Sequence, residues 1–158
     1  ELDLIYIGSY DERMEKLDGL ANKLDGLRKK YSFIIIGKKA WKKKLVQKKG
    51  FLFGTERIPH SELPQYYDRA KVILDLVREG QSGLSFRVFE AMALKKKIIT
   101  TNSYITQYDF FNPENILVLN ANMSNMTEEF FETPYQDLPR EIYEKYTIQN
   151  WVGKIFEL

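Results

Sequence analysis

Cysteine is absent from the 158-residue chain, and histidine occurs once. Without thiols there is neither a disulfide framework nor a thiolate site, and one imidazole is too few for the usual transition-metal ligand sets, so we expect no metal site. Proline (5) and glycine (9) are sparse, which excludes fibrous and low-complexity proteins. No apolar run approaches the roughly 20 residues that a membrane-spanning helix needs.

Apolar and aromatic side chains are abundant by contrast. They make up 44% of the chain and include 10 Tyr, 10 Phe and 2 Trp, which is ample for a core and excludes intrinsic disorder. The length suits one domain over residues 1–158 and is too short for two ordinary ones. The chain opens with Glu1 and enters an apolar strand within two residues. We expect a cytoplasmic domain without a leader, cut from a longer protein.

The positive charge is concentrated in one segment. Lys and Arg number 24 against 22 Asp and Glu, but seven lysines fall within residues 38–49. Most of them are expected to form a solvated helix face. Two functional hypotheses remain. Lys38 could bind a diphosphate, or the segment Lys38–Lys49 could contact anionic lipid, with Trp41 as the interfacial anchor. No recognition motif accompanies them, so we expect no nucleic-acid partner.

Short apolar runs alternate with helical patterns along most of the chain. The runs are Leu4–Ile7, Phe33–Ile36, Phe51–Phe53, Val72–Val77, Lys97–Thr101 and Ile116–Leu119, and helices are expected near 16–27, 61–70, 86–95, 140–146 and 148–157. Continuously apolar strands are typical of parallel sheets buried on both faces. The pattern predicts an α/β fold: a doubly wound, mostly parallel, Rossmann-like sheet of about six strands with helices on both faces, plus C-terminal helices. Residues after Leu119 are irregular and acidic until those last helices.

Ligands of such folds bind at the carboxyl ends of the strands, which directs attention to residues 78–102. There a buried strand leads through a loop into a helix whose N-terminal N–H groups suit an anion, with Ser85 as candidate N-cap. Gly83 would allow a ligand to approach the backbone. Arg87 and Glu90 share one helix face, where a guanidinium suits phosphate and a carboxylate suits a ribose diol. The alternative is that these two residues simply pair with each other on the surface.

Two other polar side chains draw attention. Asp75 lies inside an apolar strand, and because a lone buried carboxylate is costly, we expect to find it paired or near the exposed end of the strand. His60, the only imidazole, invites a role as general base, but its position beside Ser61 at a predicted helix start favours a structural role.

The segment GLSFRVFEAMALKKKIITTN resembles the donor-nucleotide segment of the C-terminal domain of GT-B-fold group 1 glycosyltransferases. The pattern of that family is approximately E-G-F-G-L-P-x-x-E-A-M-A-x-G-x-P-V-I. Gly83 matches the glycine after the first glutamate, and Glu90-Ala91-Met92-Ala93 matches E-A-M-A. The resemblance implies that Glu90 binds the ribose of a nucleotide sugar, and that the loop before the helix, including Leu84 and Ser85, holds the diphosphate and the sugar.

The resemblance extends more loosely over residues 4–120. It implies that Gly8 and Ser9, after the first strand, and Lys38, after Gly37, also face the donor, and that Arg57 and Ile58 border the nucleobase. This sequence departs from the pattern at several places. Ser82 stands where the family has its first glutamate, Arg87 replaces the usual proline, and Lys95 and Lys97 replace the usual glycine and proline.

The resemblance thus implies the nucleotide-sugar-binding half of a glycosyltransferase that transfers a sugar to a polysaccharide or lipopolysaccharide acceptor. The donor would be a nucleoside diphosphate sugar, with no cofactor and no metal. The acceptor site and any catalytic base would belong to an N-terminal domain that precedes this one, and the isolated domain would turn over little. Peripheral contact with the inner face of a bacterial membrane is a further expectation.

A non-enzymatic flavodoxin-like interaction module is the alternative function. A dinucleotide oxidoreductase is disfavoured, because Gly8 follows the first strand without the G-x-G-x-x-G fingerprint.

Overall fold

The structure is a computed structural model, and it describes residues 1–37 and 49–156. The strands in these residues are β1 (Leu2–Ser9), β2 (Tyr31–Ile36), β3 (Phe51–Gly54), β4 (Ala70–Asp75), β5 (Lys97–Thr100) and β6 (Ile116–Val118). The helices are α1 (Met14–Gly26), α2 (Leu63–Tyr67), α3 (Phe86–Ala93), α4 (Glu128–Glu132), α5 (Arg140–Lys145) and α6 (Ile148–Phe156), with a short 3-10 helix at Ser103–Gln107. In the described residues, no helix is both long and apolar enough to cross a membrane.

The strands form one sheet in the order β3-β2-β1-β4-β5-β6, and every neighbouring pair is parallel. The predicted doubly wound α/β fold is therefore confirmed. The strand order reverses between β1 and β4. Chain connections leave the sheet on opposite sides at such a point, so a crevice opens at the carboxyl ends of these two strands.

Both faces of the sheet are covered by apolar layers. Along β1, Leu4 and Tyr6 belong to the layer that includes α1, while Ile5 and Ile7 belong to the layer that includes α3. Because the sheet is buried on both sides, the strand sequences are continuously apolar and do not alternate with polar residues. On α1, Leu17, Leu20 and Leu24 lie on one face and are fully buried, while Leu27, just after the helix, is partly buried.

The fourth strand lies earlier than predicted. It spans Ala70–Asp75 instead of Val72–Val77, because Ala70 already pairs with Leu2 of β1. At the other end, the Val77 amide donates to the side-chain hydroxyl of Thr101 (3.1 Å) and not to a backbone carbonyl of the neighbouring strand, so the strand does not extend to Val77. As a result, Asp75 is the last residue of β4.

The helix before β4 is shorter than predicted. It spans Leu63–Tyr67 with Glu62 at the N-cap, so it begins two residues after the start that was predicted at Ser61. The Arg69 carbonyl accepts a hydrogen bond from the Leu2 amide of β1 (2.8 Å). Because this carbonyl pairs with the sheet, the helix ends before residue 69.

Helix α4 was not predicted from the irregular, acidic segment that follows Leu119. It forms because Phe130 and Phe131 are buried in the layer beside α1. The buried amino group of Lys97 donates to the Phe130 carbonyl (2.7 Å) and to the Thr133 hydroxyl (2.6 Å) at the end of the helix. These are contacts between distant parts of the chain.

Candidate functional site

An open cleft of about 670 Å³ lies at the carboxyl ends of β1 and β4, where the strand order reverses. Its walls come from the end of β1, the loop before α2, the loop after β4 and the first turns of α3. Eight of the residues selected from the sequence line it: Gly8, Ser9, Arg57, Ile58, Leu84, Ser85, Arg87 and Glu90. The fold therefore brings together residues that are up to 82 positions apart in the chain.

Two selected residues, Ser82 and Gly83, do not line the cleft, and a third, Lys38, is not among the described residues. Ser82 is exposed in the loop before α3. The Gly83 carbonyl accepts hydrogen bonds from the side-chain amides of Gln81 and Asn102, both at 3.1 Å, and a Cβ at this glycine would meet no atom within 4 Å. Lys38 lies outside the described residues, as do the other lysines of its segment except Lys49.

Ser85 is the N-cap of α3, with extended backbone angles (φ −81°, ψ 158°), but its side chain does not cap the helix. The hydroxyl instead donates to Asp75 Oδ1 (2.8 Å). Ser85 therefore occupies the predicted N-cap position, but its side chain makes no capping hydrogen bond, because a buried carboxylate accepts the same hydroxyl. The helix begins at the cleft with first-turn N–H groups that the Ser85 hydroxyl does not satisfy.

Asp75 is completely buried at the end of β4. In addition to Ser85, it accepts the Thr100 hydroxyl at Oδ2 (3.0 Å), and its Oδ1 lies 3.6 Å from Nη1 of Arg87. The expectation that this carboxylate is paired is confirmed. Its partners come from the neighbouring strand β5 and from the start of α3.

Arg87 reaches inward, across the end of the sheet. Its Nη2 donates to the Ile7 carbonyl of β1, and its guanidinium carbon lies 5.7 Å from the centre of the Tyr6 ring. Its Nε is buried and has no hydrogen-bond partner among the described residues. Since the guanidinium pairs with Asp75, the alternative of a surface pair between Arg87 and Glu90 is wrong.

Tyr67 lies between Arg87 and Glu90. Burial raises the pKa of its hydroxyl to about 12, and the neighbouring Arg87 and Glu90 act on it with smaller, opposing effects. Glu90 also approaches the His60 ring, whose Nδ1 is 4.0 Å from Oε1. His60 itself is largely exposed at the rim, with 86% of its side chain accessible.

Arg13 and Arg78 also line the cleft, and the sequence did not single them out. Arg13 donates hydrogen bonds from Nε to Asp11 Oδ1 (2.8 Å) and from Nη1 to the Leu76 carbonyl (3.0 Å). Arg78 is more exposed, with Nη2 3.7 Å from Asp11. Burial alone would raise the pKa of Asp11, but the hydrogen bonds from Arg13 outweigh it and hold the pKa below its ordinary value. The signal available in the sequence was position, since each arginine lies three or four residues after a strand that ends at this edge of the sheet.

The cleft as a whole favours an anion. Among the described residues, four arginines line it: Arg13, Arg57, Arg78 and Arg87. They face the carboxylate of Glu90 in the lining and those of Asp11 and Asp75 behind it. The uncapped start of α3 adds the positive end of a helix dipole. Such a site suits a phosphate-bearing ligand with hydroxyl groups near Glu90.

Two comparisons with known proteins found similar proteins. A family model described as "Glycosyl transferase-like" matches residues 14–143. A crystal structure of the C-terminal domain of a glycosyl transferase group 1 family protein, LpcC, from Francisella tularensis superposes with a TM-score of 0.64 and 17% identity, covering 94% of this chain and 87% of that one. No curated protein sequence matches the chain.

Proposed function

The chain belongs to the glycosyl transferase-like family, and on that premise we propose that its cleft binds the donor of a glycosyltransferase, a nucleoside diphosphate sugar. The observation that carries the proposal is the joint presence of four arginines and the uncapped start of α3 around one cleft. A diphosphate needs several donors and positive charges together, and this arrangement supplies both. The similarity of fold to the LpcC domain supports the same assignment.

Each part of the donor has a proposed position. The diphosphate contacts the first turn of α3, Ser9, Arg13 and Arg87, with Arg78 at the open side. Glu90 accepts hydrogen bonds from the ribose hydroxyls. The nucleobase lies beside the backbone of residues 57 and 58, and the sugar lies near the loop of residues 82–84, where Ser82 stands in place of a glutamate.

In the reaction we propose, an acceptor hydroxyl oxygen forms a bond to the sugar carbon as the bond between that carbon and the diphosphate breaks. The acceptor proton passes to the catalytic base, and negative charge grows on the departing diphosphate. Arg87, Arg13 and the N-terminus of α3 stabilise this charge from fixed positions, which lowers the barrier without reorganisation of the site. Lys38 is a further candidate for the same role. The acceptor site and the catalytic base are proposed to lie on an N-terminal domain, so the domain by itself binds donor and turns over little.

A thermal-shift panel of UDP, GDP, ADP, CMP and NAD tests donor binding. Stabilisation follows RT ln(1 + [L]/Kd), so 1 mM of a ligand with a Kd of ~10 μM contributes about 2.7 kcal/mol. We expect one nucleoside diphosphate to raise the melting temperature and Glu90→Ala to abolish that rise. Glu141→Ala, which removes an exposed carboxylate in the first turn of α5, serves as the matched control and should respond like the unmodified protein.

The opposite result is equally informative. If no nucleotide stabilises the protein, or if Glu90→Ala binds as tightly as the parent, the donor assignment fails. The non-enzymatic interaction module would then be the better description.

We further propose a polysaccharide or lipopolysaccharide acceptor and a peripheral location at the cytoplasmic side of the membrane. The support for the peripheral location is the lysine segment 38–49. Each lysine near an anionic membrane surface contributes about 1 kcal/mol of binding free energy. Co-sedimentation with vesicles that contain or lack phosphatidylglycerol tests this. Binding only to the anionic vesicles, and its loss when Lys42, Lys43 and Lys44 are replaced by serine, is the expected result. Equal sedimentation with both kinds of vesicle would contradict it.

A further inference from the structure

Asp75 is a buried carboxylate that does not line the cleft and has no part in the proposed contacts with the donor. It is fully buried at the end of β4, where a charge is costly unless it is paired and hydrogen-bonded. All of its described partners reach it through side chains: the Ser85 hydroxyl (2.8 Å), the Thr100 hydroxyl (3.0 Å) and Nη1 of Arg87 (3.6 Å). Two of these three belong to the start of α3.

The contact with Ser85 affects the helix terminus. A serine at an N-cap ordinarily turns its hydroxyl back to accept a backbone N–H of the first turn. Here the hydroxyl donates to Asp75 instead, and the cap is left unmade. Asp75 therefore holds the start of α3 against the sheet and at the same time keeps the serine oxygen away from the N–H groups that an anion would use.

The contact with Arg87 fixes a charge at the cleft. The guanidinium is held between Asp75 and the Ile7 carbonyl, and 20% of the side chain remains accessible. A guanidinium this deeply placed needs a counter-charge to stay there. With Asp75 on β4 and Ile7 on the adjacent β1, Arg87 is held at the switch point of the sheet, where the cleft opens.

From these contacts we infer that Asp75 is a positioning residue for the phosphate-binding part of the cleft. It orients both the N-terminus of α3 and the Arg87 guanidinium without touching the ligand. This inference rests on the proposed donor-binding function. A residue that acts in this way is expected to affect ligands that carry phosphate and to leave the binding of the nucleoside unchanged.

The test uses Asp75→Asn in the full-length protein. Asparagine keeps the shape and one acceptor for Ser85 but removes the charge that holds Arg87. Calorimetry with UDP, GDP and ADP identifies the diphosphate that binds the parent. We expect the variant to bind that diphosphate about tenfold more weakly, in line with the loss of one charge-assisted contact, and to bind the matching nucleoside as the parent does.

Lys97→Met is the matched control, because it also removes a buried charge from the sheet, but at the amino end of β5 and away from the cleft. It should lose stability and keep its affinity for the diphosphate. Equal weakening in this control, or equal weakening of diphosphate and nucleoside binding by Asp75→Asn, would show a general structural effect and overturn the inference.

Ser85→Ala provides a second route if Asp75→Asn does not fold. It removes one of the same contacts, so diphosphate binding is expected to weaken severalfold while nucleoside binding stays unchanged. If both single variants fold, the double variant is expected to lose less than the product of the two single effects. Unchanged or tighter diphosphate binding in the folded variants overturns the positioning role alone. A parent protein that binds none of the diphosphates overturns the proposed function and this inference together.

Discussion

Tyr6 and Gly8 lie two residues apart on β1, and the tyrosine ring extends over the glycine. A Cβ added at Gly8 would lie 2.2 Å from the Tyr6 hydroxyl oxygen and 2.4 Å from the ring carbon that bears it. Tyr6 is fully buried, and its hydroxyl has no hydrogen-bond partner among the described residues. The glycine is therefore required by the packing of its neighbour, in addition to any contact that it makes with a ligand.

Replacement of Gly8 by alanine tests this packing. Because the buried ring must move to admit a methyl group, we expect Gly8→Ala to lower the free energy of unfolding by about 1–3 kcal/mol, measured by urea denaturation. Gly26→Ala is the control, since a Cβ there would meet nothing within 4 Å and alanine favours the helix end. The control should be neutral or more stable. Equal stabilities of the two variants would contradict this explanation.

At the scale of elements, α4 depends on one lysine of β5. Lys97 donates to the Phe130 carbonyl (2.7 Å), the Thr133 hydroxyl (2.6 Å) and the Thr133 carbonyl (3.1 Å), and its amino group lies 4.2 Å from the centre of the Phe130 ring. Burial lowers the pKa of Lys97 from its ordinary value, with a smaller opposing effect from Glu114. The cation satisfies carbonyls at the end of a short helix, where positive charge is favoured.

Lys97→Met is expected to lower the free energy of unfolding by about 2 kcal/mol, because it leaves buried carbonyls without their donor. Hydrogen exchange of residues 126–133 should accelerate more than that of β1. Lys95→Met offers the comparison: this lysine forms an exposed ion pair with Asp137 (2.7 Å), so its replacement should change stability by less than about 0.5 kcal/mol. If the two substitutions have the same effect, the helix does not depend on the buried amine.

At the scale of the whole molecule, stability depends on two apolar layers that also enclose polar groups. One of these groups is the hydroxyl of Tyr67, in the layer that packs on α3. Burial raises the pKa of Tyr67 to about 12, from an ordinary value of 10.0. Below pH 10 the folded and the unfolded chain both hold this proton. Between pH 10 and 12 the unfolded chain releases it first, so stability falls as the pH rises.

This difference predicts the response to alkali. A shift of about two pKa units corresponds to roughly 2–3 kcal/mol of stability lost across that interval. In Tyr67→Phe the loss between pH 9 and pH 11.5 should be smaller by most of that amount, measured as the change in the free energy of unfolding in urea. Parallel pH profiles for the parent and the variant would show that Tyr67 does not titrate in this way.

Most of the architecture could be predicted from the sequence, because its cause is local. Continuous apolar runs such as Phe33–Ile36 must be buried on both sides, and the stripe of Leu17, Leu20 and Leu24 needs a partner surface. These patterns predict strands, helices and their alternation. The segment around Glu90 likewise drew attention to the start of α3, and eight selected residues do line one cleft.

Only the tertiary structure decided which side chains meet. The order of the strands places β1 beside β4, and this brings Arg13 within hydrogen-bonding distance of the Leu76 carbonyl, 63 residues away. It also makes Asp75, and not the helix terminus, the partner of the Ser85 hydroxyl. Helix α4 depends in the same way on Lys97 of a distant strand. Sequence periodicity reports which face of an element is buried, whereas hydrogen bonds and ion pairs between elements depend on how the sheet is ordered, which no local pattern contains.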